Sequence, residues 1–81
     1  MFKNKLEESY NICGPKVKKI RENFPEKTSQ RKLADMLQIA GLDIDKNAVQ
    51  RIESGKRFVT DIELKVIAKV LGVSYQELLD K

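Results

Sequence analysis

The residues best suited to chemistry in this 81-residue sequence lie between positions 46 and 54, where amides and cations recur at helical spacing. At 100° per residue, Val49 and Ile52 fall on one face of a helix and would be buried. The opposite face carries groups that can bond base edges, because Asn or Gln can bond adenine in two places and Arg or Lys can bond guanine. These outward side chains are Lys46, Asn47, Gln50, Arg51 and Ser54. The spacing therefore predicts a helix that presents base-reading groups on one face.

The charges on this face separate nucleic-acid recognition from the alternative, an ordinary solvated helix surface. A typical soluble helix mixes acidic and basic residues, whereas no acid points outward between positions 46 and 54. The one acid of this stretch, Glu53, falls about 40° from Val49, at the margin of the buried face. The absence of an outward acid favours nucleic-acid recognition.

Capping and breaking residues mark the elements that must hold this helix in place. Gly14-Pro15 can open a first helix, since proline at the first helical position loses no hydrogen bond, and Pro25 stops that helix. Ser29 and Asp45 can cap a second and a third helix. The second and third helices follow each other across a brief linker, which is the plan of a helix-turn-helix.

Two further helices follow, each opened by a capping box. One box pairs Thr60 with Glu63, and the other pairs Ser74 with Glu77. The sequence contains no alternating apolar pattern of the kind that a strand would show. It therefore predicts an all-α fold of five short helices, with residues 14–81 as one domain.

The sequence resembles the XRE-type helix-turn-helix domains, also called the phage repressor and Cro type. The likeness is carried by the pattern S-Q-x-x-L-A at positions 29–34 and by I-E-x-G-K-R at positions 52–57, and L-G-V-S at positions 71–74 continues it. It extends over residues 14–80 and implies the five-helix, lambda-repressor-like DNA-binding fold. The predicted helix at positions 46–54 is called the reading helix below. The linker before it is about five residues longer than the short, glycine-containing turn of most members.

The resemblance also implies a role for each matching residue. The residues implied to bond bases in the major groove are Lys46, Asn47, Gln50 and Arg51. The residues implied to contact backbone phosphates are Gln30, Ser54, Lys56 and Arg57. Gln30 would also support the reading helix, and Arg21 on the first helix would form an ion pair with Glu53 at the edge of the core.

Charge and composition bound the other classes of function. Residues 1–57 hold 13 basic and 8 acidic side chains while residues 58–81 hold 3 and 4, so the first part of the chain suits a phosphate-bearing partner. With no histidine and a single cysteine, Cys13, we expect no disulfide, no zinc site, no catalytic residue and no cofactor. No apolar run approaches the ~20 residues of a membrane span, so we expect a cytoplasmic protein.

The N-terminal residues 1–13 leave two alternatives open. Phe2, Leu6 and Tyr10 lie four residues apart and would line one face of a short helix. An N-terminal arm is the other alternative, because chain termini are often poorly ordered.

The fourth predicted helix carries a second apolar stripe formed by Ile62, Val66 and Val70. The core stripe of this helix lies on nearly the opposite side, and a small domain cannot cover both sides from one core. We therefore expect the N-terminal segment or a second subunit to cover this stripe, with scattered surface residues as the alternative.

These observations predict a sequence-specific regulator of transcription that binds double-stranded DNA. A small repressor of phage or mobile-element type is the leading hypothesis, and a homodimer on an inverted repeat is expected because one such domain makes few base contacts. The alternatives are an antitoxin that also binds a toxin, a regulator with an antirepressor partner, a restriction-modification controller, and a protein-interaction module without DNA binding. An enzyme is least favoured, because the segment at positions 54–57 lacks the serine or threonine of a phosphate loop.

Overall fold

The computed structural model describes residues 9–80, and within them it contains five α-helices and no β-strand. The helices are α1 (Gly14–Glu22), α2 (Gln30–Ile39), α3 (Lys46–Glu53), α4 (Asp61–Leu71) and α5 (Tyr75–Leu79). The predicted all-α fold is therefore confirmed. Over the described part of the chain, every helix is too short or too polar to cross a lipid bilayer.

The helices begin where capping side chains satisfy their first backbone N–H groups. The Ser29 hydroxyl accepts a hydrogen bond from the Lys32 amide at 3.0 Å, and the Asp45 carboxylate accepts one from the Ala48 amide at 2.9 Å. Thr60 opens α4 with a reciprocal capping box, and α5 begins with a second one. Each cap removes an unsatisfied donor from a helix end and so fixes where the helix starts.

One apolar core, to which all five helices contribute, holds the helix-turn-helix. The innermost side chains have at most 2% of their surface exposed. They include Val17, Leu33, Leu37, Val49, Ile52, Ile67 and Leu78. Because α2 and α3 both insert side chains into this core, the core fixes the position of one helix relative to the other.

The connection between α2 and α3 spans residues 40–45 and is itself anchored. Gly41 adopts φ +99°, and the Leu42 amide then donates to the Leu37 carbonyl at 2.9 Å, which closes the end of α2. Ile44 is buried in the core, and the side-chain Nε2 of Gln38 donates to the Ile44 backbone carbonyl at 2.7 Å. The long linker expected from the sequence is therefore an ordered six-residue turn that follows a ten-residue α2.

Residues 9–13 form a short non-helical segment, called the strap below, that bends into α1. These residues, including Tyr10, are not helical. The Tyr10 ring packs edge-on against the Phe58 ring, with 4.9 Å between the two ring centroids. The side chain of Cys13 at the end of the strap is buried in the core, and burial raises the pKa of its thiol. Phe2 and Leu6, the other members of the predicted apolar face, lie outside the described residues.

The expected second stripe of α4 is only partly a separate surface. Val66 and Val70 are half-buried and pack against the core of the same chain, whereas Ile62 is 71% exposed. The expectation that the core could not reach this side of α4 is therefore wrong for the two valines. The physical reason is that α4 packs against α1, α2 and α5, so neighbouring helices shield more than one of its faces.

Candidate nucleic-acid interface

Helix α3 exposes the groups that the sequence predicted on its outer face. Val49 and Ile52 are 1% exposed and face the core. The exposed side chains on the other side are those of Lys46, Asn47, Gln50, Arg51 and Ser54. Among the described residues, the first four of these side chains make no hydrogen bond or ion pair, so their polar groups are available to a ligand.

Glu53 does not belong to this outer face, because its carboxylate is held inside the domain. Arg21 donates to it twice, from Nε to Oε2 at 2.7 Å and from Nη2 to Oε1 at 2.9 Å. The side chains of Arg21 and Glu53 are only 10% and 2% exposed, so the expected ion pair is present and nearly shielded from water. A bidentate pair of this kind fixes orientation as well as charge, and here it ties α1 to the end of α3.

Gln30 completes this buried polar cluster. Its Nε2 donates to Glu53 Oε1 at 3.0 Å, which joins the start of α2 to the end of α3. The structure thus shows Gln30 in contact with the reading helix, and its half-buried position leaves part of its side chain open to solvent. Its contact with a phosphate remains a prediction. Sequence reasoning did not identify Arg31 and Lys32, two exposed cations beside Gln30. They lie in the first turn of α2, which contains no acidic residue.

The turn after α3 presents Ser54 and Lys56 to solvent on a fixed backbone. Gly55 adopts φ +76°, which favours glycine, and its amide donates to the Ile52 carbonyl at 3.1 Å. The Lys56 amide donates to the Arg51 carbonyl at 2.8 Å. These two bonds form a Schellman motif, so the end of α3 passes directly into an ordered turn.

Arg57 has a partner that the sequence did not suggest. Its two terminal nitrogens donate to the Glu63 carboxylate at 3.0 and 2.7 Å, across the connection to α4. These hydrogen bonds raise the pKa of Arg57 and lower the pKa of Glu63. The six-residue separation is not a helical spacing, which is why no periodic pattern indicated this pair. The phosphate contact of Arg57 remains a prediction, since two of its donors already serve α4.

The strap also touches the end of the reading helix, through contacts that the sequence did not indicate. The side-chain nitrogen Nδ2 of Asn11 donates to the carbonyls of Ile52 at 3.1 Å and Arg57 at 2.8 Å. The Tyr10 backbone amide donates to the Gly55 carbonyl at 2.8 Å. These contacts join positions more than 40 residues apart, and no local spacing in the sequence signals them.

Comparison with known proteins identifies a family that this chain resembles. A family model described as helix-turn-helix matches residues 17–78, which extend from α1 to α5 and contain α2, the connecting turn and α3. No curated protein and no solved structure matches the chain. The matched residues account for more than half of the sequence, and the strap lies outside them.

Proposed function

This chain belongs to the XRE-type helix-turn-helix family of DNA-binding regulators of transcription, and from that membership we propose that it is a sequence-specific repressor of phage or mobile-element type. The observation that carries the proposal is the outer face of α3. It combines exposed amides and cations with the absence of any outward acid, because Glu53 is turned into the core. Such a face matches the acceptor-rich edges of guanine and adenine in the major groove.

The proposed contacts divide into base reading and positioning on the backbone. The residues assigned to base edges are Lys46, Asn47, Gln50 and Arg51. Those assigned to phosphates are Gln30, Ser54, Lys56 and Arg57. Backbone contacts fix the register of the protein on the duplex but do not themselves choose a sequence, so the α3 face should carry the specificity.

Selection of random duplexes with the purified protein tests this function. We expect enrichment of one motif, and a repeated, inverted motif would support two subunits on one operator. A promoter containing that motif should then lose transcription when the protein is added, as a repressor requires. Recovery of unenriched sequence, or stimulation of the promoter, would contradict the proposed activity.

Replacing Arg51 with alanine should relax the choice of base while leaving the fold intact. Arg51 is exposed and its side chain makes no hydrogen bond or ion pair within the described residues, so its loss leaves the core unchanged. A side chain that bonds a base contributes about 1–3 kcal/mol of discrimination. The measurement is a specificity profile over single-base variants of the selected motif. Lys69→Ala removes the same charge from α4 and should keep the wild-type profile. An unchanged profile for Arg51→Ala would show that Arg51 does not read a base.

We place the contact between two subunits on the apolar face formed by Ile62, Tyr75 and Leu79. These three side chains are 71%, 49% and 40% exposed and surround one shallow cavity between the start of α4 and α5. Exposed apolar side chains that cluster in this way favour an interface, because association removes them from water. A second copy of the chain is the proposed occupant, since a two-fold pair of domains is what an inverted repeat requires.

Ile62→Glu should therefore convert a dimer into a monomer and weaken binding to the inverted repeat by about tenfold or more, because two half-sites would no longer be linked. Binding to an isolated half-site should not change. Sedimentation equilibrium and titration of both duplexes measure these effects. Ile39→Glu is the matched control, since Ile39 is 89% exposed at the end of α2 and outside this face. A wild-type protein that sediments as a monomer on the repeat would contradict the dimer.

A further inference from the structure

Asn11 joins both ends of the turn that follows the reading helix. Its side-chain nitrogen has two hydrogens, and these are directed to the carbonyl of Ile52, in the last turn of α3, and to the carbonyl of Arg57, where the turn ends. The two acceptors are five positions apart in the sequence. The residues between them include Ser54 and Lys56, which the proposed function assigns to phosphate contacts.

The third contact of Asn11 determines which way its amide faces. Its Oδ1 accepts a hydrogen bond from the Gly14 backbone amide at 2.7 Å, at the start of α1. A side chain that supplies two donors and one acceptor is needed at this position, and only a carboxamide does so. Asn11 thus connects the beginning of α1 to the end of α3 and to the turn beyond it.

The neighbouring strap residues bind the middle of the same turn. The Tyr10 amide donates to the Gly55 carbonyl at 2.8 Å, and the Ser9 hydroxyl lies 3.5 Å from that oxygen. The turn is consequently held at its start, its middle and its end by one short segment. A turn held in this way loses less conformational freedom when it binds than a free one does.

From these contacts we infer that Asn11 is a positioning residue for DNA binding, which presets the backbone of residues 54–57 so that Ser54 and Lys56 meet the phosphates. This inference rests on the proposed function and adds to it a residue outside the matched family region, which begins at position 17. Asn11 acts through the turn and touches no base, so it contributes to affinity for every duplex and not to the choice among duplexes.

Two substitutions remove the donors of Asn11 in different ways. Asn11→Asp keeps the shape of the side chain and the acceptor for Gly14, but it directs a carboxylate oxygen at two carbonyl oxygens. Asn11→Ala removes the group without adding a charge, and it serves if the aspartate variant does not fold. Asn23→Ala is the matched control, because Asn23 also donates from its side chain to a backbone carbonyl, that of Lys19 within α1.

The affinities of these variants are measured on the selected duplex and on an unrelated duplex over a range of salt concentrations. We expect both Asn11 variants to bind both duplexes about tenfold more weakly, with an unchanged ratio between the duplexes and a smaller dependence on salt, as fewer phosphates are contacted. Asn23→Ala should bind like the wild type. Melting curves identify a temperature at which every compared variant is folded.

A double-mutant cycle with Lys56 distinguishes positioning from a general loss of stability. Lys56→Ala alone should lower the slope of log affinity against log salt by about one unit. In the Asn11→Ala background the same change should have a smaller effect, because the turn no longer presents Lys56 well; additive effects would overturn the inference. Wild-type affinity and salt dependence for both Asn11 variants would overturn it as well. Failure of the wild type to prefer any duplex would instead overturn the proposed function.

Discussion

Replacing Arg21 with alanine should lower the free energy of unfolding by about 3–5 kcal/mol, because it leaves the Glu53 carboxylate buried without its counter-charge. The Glu53 side chain is 2% exposed, so water cannot replace the two hydrogen bonds that Arg21 donates. The buried carbonyl of Thr28 would also lose the donor that Arg21 Nη1 supplies at 2.9 Å. A chain of this length is stabilised by about 4–12 kcal/mol in total, so the expected loss is a large fraction of the stability of the domain.

Urea denaturation at neutral pH measures this effect, with Lys19→Ala as the matched control. Lys19 is an exposed base in the same last turn of α1, so its replacement removes the same charge from the same helix end without affecting the core. Arg21→Lys should recover only part of the loss, since an ammonium cannot reproduce the planar, bidentate contact of a guanidinium.

The pair of substitutions Arg21→Ala and Glu53→Ala should together cost less than the two costs added. With both residues replaced, no charge remains buried, and only the packing and the hydrogen bonds of their neighbours are lost. Strict additivity would mean that the two side chains do not interact. Base preference of the folded fraction should stay the same in all of these variants, because neither residue belongs to the outer face of α3.

The parts of this fold that follow local rules could be predicted from the sequence. A capping serine, threonine or aspartate bonds an amide three residues away, so Ser29, Asp45 and Thr60 mark helix starts with no tertiary information. The 100° rotation per residue likewise places Val49 inside and Gln50 outside. Helix starts and the orientation of α3 are therefore properties that the chain encodes over a few positions.

The contacts that sequence reasoning missed depend on the meeting of distant backbones. Asn11 bonds carbonyl groups 41 and 46 positions away, and a carbonyl has the same chemistry at every residue, so no residue type marks the partner. The Arg57–Glu63 pair crosses the connection between α3 and α4, so its spacing matches no helical or strand period. The half-burial of Val66 could not be predicted because it depends on how many helices surround α4.

Gly14 shows the same limit and leads to the second large effect that we expect. From the sequence, Gly14 and Pro15 mark only a helix start, and alanine is ordinarily a better helix former than glycine. In the structure, a Cβ placed on Gly14 would lie 2.2 Å from the Ile52 carbonyl oxygen and 3.1 Å from that of Glu53. Both atoms belong to the backbone, so a side-chain rotation cannot relieve the contact. The missing Cβ is what lets the start of α1 approach the end of α3.

Gly14→Ala should therefore destabilise the domain by about 3 kcal/mol, although alanine has the higher helix propensity. It should also displace the end of the reading helix. Gly41→Ala is the matched control: a Cβ there meets nothing within 4 Å, and only the φ of +99° opposes it, at about 1–2 kcal/mol.

Urea denaturation compares the stabilities of the Gly14→Ala and Gly41→Ala variants. Titration of the selected duplex, at a temperature where both variants are folded, compares their binding. Since the displaced carbonyls include one that Asn11 holds, Gly14→Ala should also weaken DNA binding while Gly41→Ala should not. Equal stability of Gly14→Ala and the wild type would show that α1 and α3 can separate without cost, and that their close approach does not fix the reading helix.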